Sequence, residues 1–147
     1  MKDSVFFTIL AGVSVFVLGQ FILKLVLEPI VSFKESLGNL SAFCLRYRAK
    51  ITNANASLEL QNELKVLIST ILSKSQSIPF YSAFAKVLGL PNQSSIIESC
   101  RILNGISYEM VRETSQHHGK LQGPAQILMD LQRVSELLKV RLDYSEL

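Results

Sequence analysis

The sequence predicts an all-α protein: one N-terminal transmembrane helix followed by a small cytoplasmic helical bundle. Three observations carry that expectation. No charged residue occurs from Ser4 to Leu23, a run of roughly 30 Å as a helix, which matches the hydrocarbon thickness of a bilayer. Beyond Pro29, apolar residues recur at helical spacings of three and four, with no competing alternation of the β type. The mean hydropathy of +0.30 and a 48% hydrophobic content are high for a small domain that must also present a charged surface.

The first element is the span. A cleaved signal peptide would need a basic leader, a shorter apolar core and small residues at a cleavage site. Here the leader is only Met1-Lys2-Asp3, and the run continues through "FVLGQFILKLVL" without an A-x-A-like site. Lys2 precedes the span, whereas Lys24, Lys34, Arg46, Arg48 and Lys50 follow it, so the positive-inside rule puts the C-terminal part in the cytoplasm. The chain divides into a transmembrane segment and exit, residues 1–33, and a cytoplasmic helical domain, residues 34–147. The N-x-S triplets at Asn39, Asn55 and Asn92 then lie on the wrong side for glycosylation.

After Pro29, Phe33, Leu37, Leu40, Phe43, Cys44 and Tyr47 mark one face of a helix whose pattern carries across Ser36 and Gly38. "TNANAS" reads as a loop, and Ser57 as the N-cap of a helix over 57–75 that buries Leu60, Leu64, Leu67, Ile68, Ile71 and Leu72. "SKSQSIP" breaks the pattern. A short helix from Phe80 to Leu88 follows, closed by Gly89 and Pro91. Ser94 or Ser95 can cap the next helix, which runs through Ile96, Ile97, Cys100, Leu103, Met110 and Val111 to the neighbourhood of Gly119. The last helix opens at Pro124, suited to a first turn, and continues towards Tyr144. Its stripe of Ile127, Leu131, Val134, Leu138 and Arg141, with Leu128, Leu137 and Leu142 beside it, fits either bundle core or a subunit contact. Cys44 and Cys100 sit in apolar helical surroundings and read as two reduced, packed thiols. About 110 residues suffice for one such core and not comfortably for two.

Catalytic signatures are lacking. There is no G-x-S-x-G, P-loop or glycine-rich dinucleotide fingerprint, so enzyme is the disfavoured class and no cofactor is expected. Glu109, Glu113 and His117 share a helical row, with His118 adjacent, but H-E-x-x-H is absent and the ligand set is incomplete. A solvated charge row is the simpler reading, and no metal is expected.

Two features point to binding and to membrane chemistry. In "CLRYRAK", Arg46, Arg48 and Lys50 interleave with Tyr47, and arginine with an aromatic can hold phosphates and stack on bases. The three cations do not share one narrow helical face, and attraction to anionic headgroups competes. Arg101, Arg112, Lys120, Arg133 and Arg141 are further basic residues for a receptor surface. A net charge of +3 is too mild for generic duplex binding. Within the span, Thr8, Gly12, Phe16, Gln20 and Lys24 follow each other in fours. Small residues permit close helix approach, and an intramembrane amide seeks a partner. A single helix cannot enclose a pore, so a channel requires several copies with Gln20 facing inward. The same residues also fit a plain anchor in which Lys24 snorkels to the interface and Glu28 lies beyond it, and both readings stay open on the residues alone.

The pattern Gly19-Gln20, Lys24, Glu28-Pro29, Lys34 and Gly38 resembles the membrane effectors of Hailong-type bacterial anti-phage defence, short proteins with one N-terminal span and a small helical cytoplasmic domain. The resemblance covers the first third of the chain. It implies a homo-oligomeric channel, with a tetramer as the expected state, in the bacterial inner membrane. It also implies a partner nucleotidyltransferase whose short single-stranded deoxyadenylate oligomers hold the channel silent, and toxicity by depolarisation once that inhibitor is lost. Thr8, Gly12, Phe16, Gln20 and Lys24 would then line the pore. For the oligonucleotide, Arg46, Tyr47, Arg48, Lys50, Arg101, Arg112 and Lys120 are expected from charge and stacking, without a matching family motif.

Overall fold

A computed structural model describes residues 2–112 and 123–144. All regular elements among them are helical: α1 (Lys2–Ile22), a π-turn (Leu23–Leu27), α2 (Glu28–Arg46), α3 (Arg48–Thr52), α4 (Leu58–Gln76), α5 (Tyr81–Leu88), α6 (Gln93–Glu109) and α7 (Pro124–Leu138). The first three join into one continuous helix, of which the 43 residues from Ser4 to Arg46 are about 64 Å long. It continues without a break through residue 33.

Pro29 explains the π-turn. It has no N–H to offer the Leu25 carbonyl, and in a regular helix its ring would press on that oxygen. The turn just before it is widened, with the Glu28 N–H donating to Leu23 O, five residues back. The widened turn lets the continuous helix pass Pro29, the second residue of α2, which has no N–H to donate.

From Ile30 onward the helix changes character. Ile30, Phe33, Leu37, Leu40, Phe43 and Cys44 are buried along one face, and the weak helix former Ser36 is buried with them, its hydroxyl donating to Phe33 O at 2.6 Å. α4 packs on this face and returns along it. The Lys74 ammonium donates to Ser32 O at 3.2 Å. α6 runs antiparallel to α4, fixed by the Gln61 amide donating to Ser107 O at 2.9 Å and by Cys100 beside Ile68 O. α7 pairs with α6, and Arg133 meets Glu98. The result is a bundle of α2, α4, α6 and α7 in alternating directions. α5 lies at the end where α2 begins and α3 at the opposite end.

Capping chemistry differs from the sequence reading in places. Ser57 caps α4 as expected, accepting from the Leu60 N–H. Asn92, not Ser94 or Ser95, precedes α6, because the chain turns helical as soon as it clears Pro91. α6 ends at Glu109, and Met110–Arg112 form a turn rather than a continuation towards Gly119. Ala56 N–H donates to Met110 O at 2.8 Å, which ties that turn to the start of α4. α7 stops at Leu138 rather than near Tyr144. Lys139 adopts a left-handed conformation, φ 56°, and the Val140 N–H reaches back to Ser135 O. The same closure ends α5, where Gly89 has φ 65° and the Leu90 N–H meets Ala85 O. Residues 139–144 then run back along α2: the Ser41 hydroxyl donates to Arg141 O, and Asp143 reaches Arg48.

Candidate membrane helix and basic groove

α1 is apolar on every side, and none of its most apolar window is buried within the protein. Phe6, Phe7, Ile9, Val15, Phe16, Leu18 and Phe21 are all exposed. Thirteen of the twenty residues from Ser4 to Leu23 are Val, Ile, Leu or Phe, which together favour membrane insertion by roughly 4 to 8 kcal/mol. In water the same exposure is a contiguous apolar surface far beyond what monomeric soluble proteins present. This is one N-terminal helix long and apolar enough to cross a membrane.

The polar residues of the span fall into two kinds. The Thr8 hydroxyl donates to Ser4 O at 2.9 Å and the Ser14 hydroxyl to Leu10 O at 2.8 Å. Both are satisfied inside their own helix and call for no second chain. Gln20 carries an amide with two donors and an acceptor, and it has no hydrogen-bond partner among the described residues of the chain. Gly12 and Gly19 have open space where a side chain would stand, so α1 contains shallow positions on a bulky surface. Thr8, Gly12, Phe16 and Gln20 follow one another along regular α-helix, each four-residue step turning the row by about 40°. Lys24 lies in the π-turn, where the extra residue per turn shifts the register, so Gln20, Lys24 and Glu28 do not continue one straight line.

At the other end of the long helix, the backbone bends at Tyr47, φ −106° and ψ 16°. The bend brings Arg46, the last residue of α2, and Arg48, the first of α3, onto the same open groove of about 510 Å³, with Leu45, Ala49, Thr52, Asn53 and Leu128 completing its lining. Lys50 is exposed on α3 but does not line it. Arg48 is committed in part, its guanidinium 2.6 Å from Asp143. An anion entering the groove meets Arg46 directly and competes with Asp143 for Arg48. Tyr47 is half-buried, edge-on to Phe43 at 5.2 Å, with the Arg46 guanidinium carbon 5.9 Å from its ring centre. It therefore holds Arg46 in place more than it offers a free stacking face.

The remaining basic residues are elsewhere. Arg101 lies on α6, 3.2 Å from Glu98, the same carboxylate that Arg133 of α7 approaches at 3.2 Å. Arg112 is exposed just past α6. Lys120 lies outside the described residues, as do Glu113, His117 and His118. Glu109, the remaining member of that row, has one carboxylate oxygen buried without a partner among the described residues, and no group of three metal-ligating side chains occurs among them. The groove's apolar and amide lining, Leu45, Asn53 and Leu128, carries no sequence signal of its own. It is assembled by packing α7 against α3.

The thiols are inert in character. Cys44 and Cys100 are both free and buried. Burial pushes the Cys44 thiol up to about 12 and raises that of Cys100. Burial also takes the Tyr81 phenol to about 12, and its hydroxyl donates to Pro91 O at 2.7 Å. Comparison with protein families, with curated proteins and with solved structures returns no match for this chain.

Proposed function

We propose that this protein is a non-enzymatic membrane effector of bacterial anti-phage defence: a homo-oligomeric ion channel of the inner membrane, single-pass, with its helical domain in the cytoplasm. Its activity depolarises the membrane. A short single-stranded deoxyadenylate oligomer, made by a partner nucleotidyltransferase, keeps it closed, and the Arg46–Arg48 groove is the place on the domain where such an anion binds. A tetramer places four copies of Gln20 around one axis.

One observation carries the reading: Gln20 is an amide without a hydrogen-bond partner among the described residues, in a span where the hydroxyls of Thr8 and Ser14 are closed within the helix. The continuity of α1 with α2 supports ligand control, because a groove at the end of α2 connects to the span through one helix without an intervening loop.

Purified protein in liposomes is expected to conduct ions, Gln20→Leu to remove most of that flux, and the oligonucleotide to suppress it. An oligomer that conducts nothing with or without oligonucleotide rejects the channel, as does a polyleucine span that preserves all activity. The latter result assigns the protein instead to the single-pass anchored scaffolds. Because the chain has no Trp and four Tyr, a bound oligonucleotide dominates its ultraviolet spectrum when both partners are co-expressed.

A further inference from the structure

We propose that α5 is an interfacial foot, its outer apolar face resting on the bilayer that α1 crosses and held there by anionic lipid headgroups. This rests on α1 being a membrane span and is independent of channel activity.

The position of α5 comes first. At its start, the Tyr81 ring meets Phe33 edge-on at 5.9 Å. At its end, Leu88 and Gly89 share a small groove with Lys34 and Leu37. The helix is about 12 Å long, yet its start touches Phe33 and its end faces Lys34 and Leu37 across that groove, all within about 6 Å along α2's axis. α5 therefore runs crosswise to α2 and, with α1 crossing the bilayer on the same continuous helix, lies closer to the membrane plane than to its normal. With the hydrocarbon edge at Leu27, the last apolar residue before Glu28, and Lys24 snorkelling past it, Phe33 stands six residues further on, about 9 Å, while the headgroup layer is roughly 5 to 7 Å thick on each side. With its side chains, α5 reaches that layer. α4 arrives at the same level, with Lys74 on Ser32 O, and the bodies of α4, α6 and α7 extend the other way.

The exposed face has the matching chemistry. Tyr81 and Ala85 are buried. On the other side Phe80 is 82% and Val87 81% exposed, with Ala83 exposed and Phe84 half-buried between them, the spacing of one helical face. Phe80 has φ 52°, an uncommon conformation for an aromatic residue, and it turns outward although Ile78 just before it is buried. From Lys74 to Ile97 the chain contains Lys74 and Lys86 and no Asp or Glu, whereas Lys65 stands at the other end of α4, over the Tyr108 ring. Lys34 and Lys139 flank Gly89, the latter donating to its carbonyl at 3.3 Å. The acidic groups of α2 at this end are Glu28 and Glu35. An apolar face rimmed by lysines is the pattern of helices that bury 5 to 10 Å into an anionic interface. A second protein copy is the poorer occupant, because a stable interface takes about 800 Å² from each partner and α5 offers one face of eight residues.

The chain has no Trp, so single reporters are unambiguous. Phe80→Trp, Val17→Trp and Tyr108→Trp are made in the full chain and reconstituted in vesicles of phosphatidylglycerol and phosphatidylcholine with brominated acyl chains. Val17 lies mid-span, and Tyr108 stands at the far end of the bundle. The expected result is quenching of Phe80→Trp by at least about twofold relative to Tyr108→Trp, with a blue-shifted emission, lost in purely zwitterionic vesicles. Lys74→Gln and Lys86→Gln each lower the docked-to-undocked ratio about fivefold. If Val17→Trp is quenched while Phe80→Trp behaves like Tyr108→Trp, the foot is overturned and the span stands. If Val17→Trp escapes quenching, the span falls and the foot with it. A blue shift at Phe80→Trp without lipid quenching means that protein covers the face, which also overturns the proposal.

Discussion

α1 and α2 are consecutive lengths of one helix, yet they are built for different solvents. α1 exposes its large apolar side chains all round, and the Thr8 and Ser14 hydroxyls close on its own carbonyls. α2 sorts its residues by face, burying Ile30, Phe33, Leu37, Leu40, Phe43 and Cys44 and exposing Lys34, Glu35 and Asn39. The difference teaches where the energy of each region comes from. α2 is held by removing one face from water against α4, whereas α1 has no such partner among the described residues and depends on lipid or on other copies. The Leu23–Leu27 π-turn before Pro29 marks the change of regime.

Substitutions at matched residues should separate the two regimes. The largest effect is expected in α2: Phe33→Ala removes a fully buried ring that packs on Tyr81 and should cost about 3 to 5 kcal/mol of domain stability, seen as a lowered denaturant midpoint for the full chain in nanodiscs. Leu40→Ala, also fully buried, should cost about 2 to 5 kcal/mol.

Alkali should act next, and on the domain alone. The Cys44 thiol and the Tyr81 phenol are both raised to about 12 by burial, so the unfolded chain releases these protons first. Their stabilising contribution is complete below pH 9 and is lost as pH rises towards 12. Melting curves at pH 7, 9 and 10.5 should show that decline, and Cys44→Ala should make it shallower.

Arg48→Ala breaks a pair with Asp143 that is only partly screened from solvent. It should lower stability by no more than about 1 kcal/mol, while weakening oligonucleotide binding measured by anisotropy far more than Arg101→Ala does. Smallest of all, Phe16→Leu in α1 should leave the domain's denaturation midpoint unchanged within about 0.5 kcal/mol, because that ring is exposed and lies outside the buried core of the described residues. A Phe16→Leu midpoint that falls as far as that of Phe33→Ala would erase the distinction between the two regions.

Periodicity made the core legible wherever a helix had one polar face. Phe33, Leu40, Leu64, Ile71, Leu103, Ile127 and Val134 are buried as their spacing required. Leu67, Ile68 and Leu72 are only half-buried, because α4 lies between α2 and α6 and its flanks face the gaps. The end of α7 could not be read, since Lys139 takes a left-handed turn that no glycine or proline announces. The convergence of Arg46 and Arg48 was equally hidden. Along an ideal helix they diverge, and only the bend at Tyr47 turns them onto one groove.

The sequence by itself determined that the chain is helical, that its first segment is apolar enough for a bilayer, and that Gln20 is the polar side chain there without a local solution. These are properties of residue type and spacing, which act over a few residues. The tertiary structure decided that span and domain share one uninterrupted helix, that the tail from Lys139 straps back along α2 to Arg48, and that α5 lies crosswise with Phe80 outward. Those depend on which surfaces meet, and contacts between residues far apart in the chain leave no periodicity to read.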